Sequence, residues 1–324
     1  MLRLLLLISV LIALFVLIVL WLTQRHEAEA TSAYPPEGQF LEVSGRKVHA
    51  VVLGNGPDLV LIHGANGNTR DMTFSLASEL TDRYRIIIFD RPGLGYTDRV
   101  SPSFAGAFAT RGESPAEQAA MLQKAAAMLG ADRPIVLGHS YGGAVALAWA
   151  ITMPDTLAAV VSVGGVSLPW PGKLDPLYRY VGTSLGGALL APVLSAFVPD
   201  RYVSDTIESI FAPSEAPRGY SDYVGPALSL RSDTIRANSR QVNDLRPYIV
   251  EMSKSYPELV LPVELVHGTS DAIVPIDVHA RPVSLVLPNA ILTEIEGAGH
   301  MPHHTHADVV IAAIDRAARR AGFP

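Results

Sequence analysis

The chain contains no cysteine among its 324 residues. Disulfides, a thiol nucleophile and thiolate metal sites are therefore excluded. So is a lipid attached through an N-terminal cysteine. Charge is also sparse: 17% of residues are Asp, Glu, Lys or Arg, the net charge is -6, and there is no long basic run. A nucleic-acid surface needs clustered Lys and Arg, so no nucleic-acid partner is expected. Internal repeats and low-complexity segments are lacking too. The absence of cysteine leaves the compartment open, because a disulfide-free protein can work on either side of a membrane.

What the chain has in excess is apolar residues, 49% of the total. Leu4 to Leu22 is a run of them, LLLLISVLIALFVLIVLWL, interrupted only by Ser9. About 20 apolar residues are needed to cross a bilayer as a helix. Trp21 stands where an interfacial aromatic belongs. Ala28-Glu29-Ala30 resembles a small-x-small cleavage site, so a cleaved signal and a secreted protein is the alternative. The run exceeds the roughly 7–15 apolar residues of a signal peptide, which favours an uncleaved, single-pass anchor. Arg3 and the α-amino group precede the run, while Arg25 follows it with Glu27 and Glu29. That asymmetry favours the N-terminus inside and the rest of the chain on the extracytoplasmic side. Thr23 to Pro36 reads as a tether. Residues 1–36 thus form one unit, with the membrane as a partner through residues 4–22.

The remainder, about 290 residues, suffices for one large α/β domain with an insertion. Gln39 to Val43 and Lys47 to Leu53 are short strands around a Ser44-Gly45-Arg46 hairpin turn. Asp58 to Ile62, Tyr84 to Phe89, Leu157 to Val163, Leu261 to Val266 and Ile291 to Glu296 read as further strands. Asp71 to Leu80 reads as a helix. Ser114 to Leu129 does so more firmly: Ser114 caps it, Pro115 opens it, Glu117 completes a capping box and Gly130 closes it. Ala307 to Ala321 is a closing amphipathic helix. Continuous apolar strands alternating with helices predict a mostly parallel sheet covered on both faces. The alternation stops between Gly165 and Pro257, which reads as an inserted helical cap. The expected division is 1–36 anchor and tether, 37–165 core, 166–257 cap, and 258–324 core.

Pro134 to Ala150, PIVLGHSYGGAVALAWA, organises the chain. An apolar strand, Ile135 to Leu137, runs into G-x-S-x-G and then into an Ala- and Leu-rich helix. A strand that turns sharply into a helix around G-x-S-x-G is a nucleophile elbow. The turn strains the backbone of Ser140 and lifts its hydroxyl clear of the sheet. Gly138 and Gly142 come close together and have no room for side chains. A Ser hydroxyl needs a base to take its proton and an acid to orient that base. Downstream, His267-Gly268-Thr269-Ser270-Asp271 follows one strand and Gly297-Ala298-Gly299-His300 follows the next. Both side chains fall at carboxyl ends of strands, where open α/β sheets bind ligands. Asp271 is the expected acid and His300 the expected base. The oxyanion hole needs two backbone N–H groups. The expected donors are Tyr141, directly after the nucleophile, and Ala65, in the loop after Asp58 to Ile62.

HGANG, DRPGLG, GHSYGG, HGTSD and GAGH, in this order, resemble the α/β-hydrolase fold family, in its branch of esterases, epoxide hydrolases and related enzymes. The resemblance covers roughly residues 37–324 and is loose in the cap. In that family, epoxide hydrolases and haloalkane dehalogenases carry Asp where this chain has Ser140. A Ser nucleophile implies an acyl-enzyme, hence a carboxylesterase or lipase-like hydrolase acting without a cofactor on a small-molecule acyl substrate, of medium-length acyl or aromatic type if the cap is apolar. A carbon–carbon bond hydrolase and a cofactor-free perhydrolase use the same triad and stay open. A non-catalytic ligand-binding protein on this fold would have little need for an intact triad.

Other features have plainer readings. Asp90-Arg91-Pro92-Gly93 reads as a turn that braces the oxyanion loop, and His139 as a residue packed beneath the elbow. His300, His303, His304 and His306 are close enough in sequence to suggest a metal. No metal is expected there, because Pro302 breaks the spacing and no neighbouring carboxylate completes a set. Val181 to Val198 is almost without charge, as a helix lining an apolar pocket would be, or a surface dipping into the membrane. Asn66, Asn238 and Gln241 are the candidate substrate contacts, with capping or solvated roles as the alternative.

Overall fold

The structure, a computed structural model, describes residues 1–323. Its centre is a sheet of eight strands in the order β1-β2-β4-β3-β5-β6-β7-β8. These are β1 Gln39–Val43, β2 Arg46–Leu53, β3 Asp58–Ile62, β4 Arg85–Phe89, β5 Ile135–His139, β6 Ala159–Val163, β7 Val263–Gly268 and β8 Ala290–Ile295. β1 and β2 are antiparallel, as are β2 and β4; every pairing beyond them is parallel. The strands read as continuous apolar runs because both faces are covered. Leu59 and Leu61 of β3 pack into one apolar cluster, Val60 and Ile62 into the other. β4 alternates likewise, Ile86 and Ile88 against Ile87 and Phe89.

The helices are α1 Leu2–Ala33, α2 Thr69–Thr73, α3 Pro115–Met128, α4 Tyr141–Thr152, α5 Pro176–Val181, α6 Ser184–Phe197, α7 Asp200–Phe211, α8 Tyr220–Val224, α9 Pro226–Ser229, α10 Ser232–Ser253, α11 Ala280–Ser284, α12 Pro302–Thr305 and α13 Ala307–Arg320. α3 and α4 cover one face of the sheet; Met72, Leu76 and α13 cover the other. α5 to α10 all lie between β6 and β7 and form the inserted cap. α3 has the expected capping box: Glu117 N–H donates to Ser114 Oγ (3.2 Å), and Ser114 N–H to the Glu117 carboxylate (2.8 Å).

Three sequence expectations are corrected. The helix expected over Asp71 to Leu80 is α2 followed by turns. Met72, Leu76, Ala77 and Leu80 are buried as their spacing requires. Apolar spacing reports which residues face the core, not which backbone groups pair. Thr23 to Pro36 is not a loose tether, because α1 runs on to Ala33 and packs on the cap. Thr23 Oγ1 donates to Pro192 O (3.0 Å), His26 Nδ1 lies 3.0 Å from Ser195 O, and Glu27 accepts from Ser232 N–H (2.9 Å). Finally, the largest apolar side chains of α6 lie on its exposed face and not in the interior of the cap. Gly187, Ala191 and Ser195 face inward, while Leu185, Leu189 and Phe197 face outward. α1 is the one helix among the described residues long and apolar enough to cross a membrane.

The elbow between β5 and α4 leaves no room for side chains. A Cβ on Gly138 would overlap the Gly142 carbonyl and come within 2.6 Å of Gly143 N, and one on Gly142 would lie 2.7 Å from His63 O. Gly138→Ala is expected to lower stability by about 1–3 kcal/mol, the usual cost of overpacking. Denaturant unfolding measures it; an unchanged midpoint would show that the elbow yields.

Candidate active site

Ser140 has φ 53° and ψ -117°, a region that residues with a Cβ rarely adopt. Such strain costs about 1–3 kcal/mol and persists only where surrounding bonds over-determine it. Here Ser140 N–H donates to Val163 O (3.0 Å), and Ser140 O accepts from Gly143 N–H (3.0 Å) and Val166 N–H (3.2 Å). The Ser140 side chain adjoins Gly64: a Cβ placed there would sit 3.0 Å from Ser140 Cβ.

Asp271, in the loop after β7, and His300, in the loop after β8, are joined by a 2.7 Å hydrogen bond from His300 Nδ1 to Asp271 Oδ2. Burial alone would raise the Asp271 pKa, but hydrogen bonds from His267 and His300 outweigh it and hold the carboxyl well below its usual range. Asp271 Oδ1 also accepts from Ile273 N–H (2.9 Å) and Val274 N–H (2.8 Å). The acid is thus ionised and fixed in place. A proton on Nδ1 leaves His300 Nε2 free, the tautomer a general base requires. His139 Nε2 lies 2.9 Å from the His300 carbonyl and braces the base from behind. Burial, with His303 and His300 beside it, holds the His139 pKa well below normal, so His139 is a neutral packing group, as expected. Gly164, at φ 53°, lets the chain pass: a Cβ there would lie 3.3–3.5 Å from His300 O, His300 Nδ1 and Asp271 Oδ2. Among the described residues the Ser140 hydroxyl is not hydrogen-bonded to His300; catalytic hydrogen bonds often close only around substrate.

The loop after β3 is fixed from behind. Arg91 N–H donates to His63 Nε2 (2.9 Å), so His63 carries its proton on Nδ1 and donates it to Gly64 O (2.8 Å). Arg91 Nη1 donates to the same carbonyl (3.0 Å). A trans peptide points its N–H away from its C=O. With Gly64 O held toward Arg91, the Ala65 N–H is turned the opposite way. Tyr141 is the first residue of α4, and its N–H has no acceptor within the helix.

The sequence matches the family described as alpha/beta hydrolase fold over residues 57–307. The chain belongs to that family. Haloalkane dehalogenase 2 of Mycobacterium tuberculosis is 25% identical over 87% of this chain and 94% of its own length. The esterase RhEst1 from a Rhodococcus species superposes with a TM-score of 0.66 at 20% identity, covering 87% of this chain and 98% of that one. A membrane phospholipase A superposes with a TM-score of 0.64 at 19% identity, covering 98% and 97%.

The remaining predicted residues of this hydrolase lie between core and cap, Asn238 and Gln241 buried and Asn66 exposed. Asn238 on α10 accepts from Asn66 N–H (2.8 Å), and Asn66 Nδ2 donates to Tyr178 Oη on α5 (3.1 Å). Gln241 is buried, with its amide committed to partners within the protein. Its carbonyl accepts from Arg91 Nη2 (2.7 Å), and its amide donates to Pro92 O (2.8 Å) and Glu113 Oε2 (2.9 Å). Sequence reasoning took Arg91 for part of a turn and so missed its role; it is fully buried at the centre of this network. The bracing turn itself is as expected: Asp90 accepts from Thr69 N–H (2.7 Å) and Tyr96 N–H (2.8 Å).

One argument against a metal also falls. A carboxylate does join the histidines: Asp71 lies 3.4 Å from His303 Nε2 and 2.9 Å from His304 Nε2, with all three ligand atoms within 4.8 Å of one another. The geometry could hold a cation. As it stands, Asp71 Oδ1 is hydrogen-bonded by Tyr220 Oη (2.8 Å) and His304.

Two predictions follow from these buried groups. Burial holds His63 and His279 at a pKa of about 4, and His139 well below normal. The unfolded chain, with histidines near 6.5, takes up protons that the folded chain refuses. Each such group therefore removes up to about 1.4 kcal/mol per pH unit as pH falls from about 6.5 toward 4. His49 works in the opposite direction, its pKa raised by Asp90 against the effect of burial. The melting temperature should fall between pH 7 and pH 5; a flat profile would refute neutral burial. Arg91→Met, which leaves His63 as the one remaining donor to the Gly64 carbonyl, should lower kcat by about 10-fold with a smaller change in KM, since complete loss of an oxyanion donor costs about 10²–10³. Steady-state kinetics on a folded variant would show it.

Proposed function

We propose that the protein is a membrane-anchored serine hydrolase that cleaves carboxylic esters through an acyl-enzyme. The observation that carries this reading is the Asp271–His300 hydrogen bond beside a serine held at positive φ. His300 Nε2 takes the Ser140 proton as Oγ attacks the acyl carbon. Asp271 holds the imidazole and stabilises its cation. The amides of Tyr141 and Ala65 receive the negative charge of the tetrahedral intermediate. His300 then protonates the departing alcohol, and a water activated by the same base releases the acid.

The esterase and phospholipase among the similar structures support an ester as the substrate class. Residues 4–22 would anchor the chain in a single pass, with the catalytic part outside the cytoplasm. Residues 37–165 and 258–324 would form the catalytic core and 166–257 its cap.

The test uses the full chain in lipid nanodiscs. Turnover of p-nitrophenyl esters of graded acyl length would be compared with the Ser140→Ala and Asp271→Asn variants. Ester turnover should disappear in the first and fall by about 10⁴ in the second, since an amide orients the wrong tautomer. Turnover that survives Ser140→Ala would sink the reading. So would a folded enzyme inert to every ester, which would point to carbon–carbon substrates instead.

A further inference from the structure

α6 inverts the usual order of a surface helix. Its inward residues, Gly187, Ala191 and Ser195, are small and buried. Its outward residues are large and apolar: Leu185 is 67% exposed, Leu189 66%, Phe197 48% and Leu190 42%. A soluble helix presents charge on its outer face, yet α6 has no charged residue along its length. A contiguous exposed apolar face needs an apolar neighbour.

The neighbour is indicated by α1. The two helices pack together, and the Phe15 ring stacks on the Phe197 ring at 6.5 Å between centroids. Phe15 lies within the apolar run, six residues before Trp21, or about 9 Å along the helix. The outer face of α6 is therefore continuous with the flank of α1 that would meet lipid. α6 has 14 residues, about 21 Å, too short to cross about 30 Å of hydrocarbon. It is flanked at both ends by exposed Arg–Tyr pairs, Arg179-Tyr180 and Arg201-Tyr202. Tyrosine and snorkelling arginine are the side chains that settle at the boundary between headgroups and acyl chains.

We propose that the outward face of α6 lies in the bilayer beside α1, flat at the level of the headgroup–acyl boundary, with Leu185, Leu189, Leu190 and Phe197 in lipid hydrocarbon. An interfacial helix buries its apolar face about 5–10 Å deep, which is the depth Phe15 assigns to Phe197. The cap thus rests on the membrane rather than over water. α10, packed against α6, carries Asn238 to the loop beside Ser140. The inference rests on the anchor reading of α1 and does not depend on the reaction catalysed.

Because the chain has no cysteine, single labels can be placed cleanly. Leu189→Cys, Leu11→Cys and Lys254→Cys in the full chain, in phosphatidylcholine vesicles, would each carry an environment-sensitive fluorophore. Quenching would be read with nitroxides at shallow and deep acyl positions and with aqueous iodide. The Leu189 label should be blue-shifted, quenched most by the shallow nitroxide and protected from iodide. Leu11 should respond most to the deep nitroxide, and Lys254 only to iodide. A Leu189 label open to iodide and blind to nitroxide, while Leu11 responds, would overturn the cap inference alone. Protection from both quenchers would overturn it too, because a second copy of the chain then covers α6. If Leu11 also ignores the nitroxides, the anchor reading fails and the inference with it.

Discussion

The guanidinium of Arg91 is the constraint on which the site depends. A buried charge is tolerated only where hydrogen bonds replace the water it has lost. Arg91 meets three acceptors from three parts of the chain: Gly64 O after β3, Gln118 on α3 and Gln241 on α10. Its plane also lies 3.8 Å from the centre of the Tyr141 ring. One cation thereby fixes the peptide that turns the Ala65 amide, the residue that follows Ser140, and the cap helix above them. Burial lowers its pKa to about 10, still high enough to keep it charged at neutral pH. Glu113, beyond Gln241 and itself paired with Arg99 at 2.6 Å, also favours the charged form of Arg91.

The strain at Ser140 makes sense against that background. A residue at φ 53° relaxes unless its neighbours prevent it. The bonds to Val163, Val166 and Gly143 hold its backbone, and Arg91 holds the two segments that flank its side chain. Preorganised dipoles are effective because they need not rearrange as charge develops. The cost of rigidity is met in the core, where both faces of β3, β4 and β5 are sealed by apolar side chains.

How far the site could be read from sequence follows from the range of each interaction. The elbow is local: Gly138, Ser140 and Gly142 lie within five residues, so pattern alone predicts it. Asp271 and His300 are far apart in sequence, but each follows a strand, and the parallel sheet brings strand ends together. The roles of Arg91 and Gln241 depend on a contact across 150 residues, and that of Asp71 on contacts across more than 200. No spacing rule reports such contacts. DRPGLG was legible as a turn because Pro and Gly announce turns; that its arginine points inward is a property of the packed fold.

The segment after the apolar run is different, because its structure was legible and the signal was passed over. Residues 23–33 read TQRHEAEATSA. Gln, Arg, Glu and Ala are strong helix formers, and the segment holds no glycine or proline. A tether would be richer in both. The polar residues that suggested a solvated linker instead have partners on the cap. Thr23 and His26 bond carbonyls of α6, and Glu27 accepts from both Ser232 N–H and Ser232 Oγ (3.0 Å) at the first turn of α10. A carboxylate there meets unpaired amides and the positive end of the helix dipole. α1 is thus joined to the same rigid helix that delivers Asn238 and Gln241 to the core. A flexible linker would let the catalytic domain tumble above whatever surface holds residues 4–22. A continuous helix docked on the cap fixes the direction of α1 relative to the cap instead, and the exposed apolar face of α6 lies beside it.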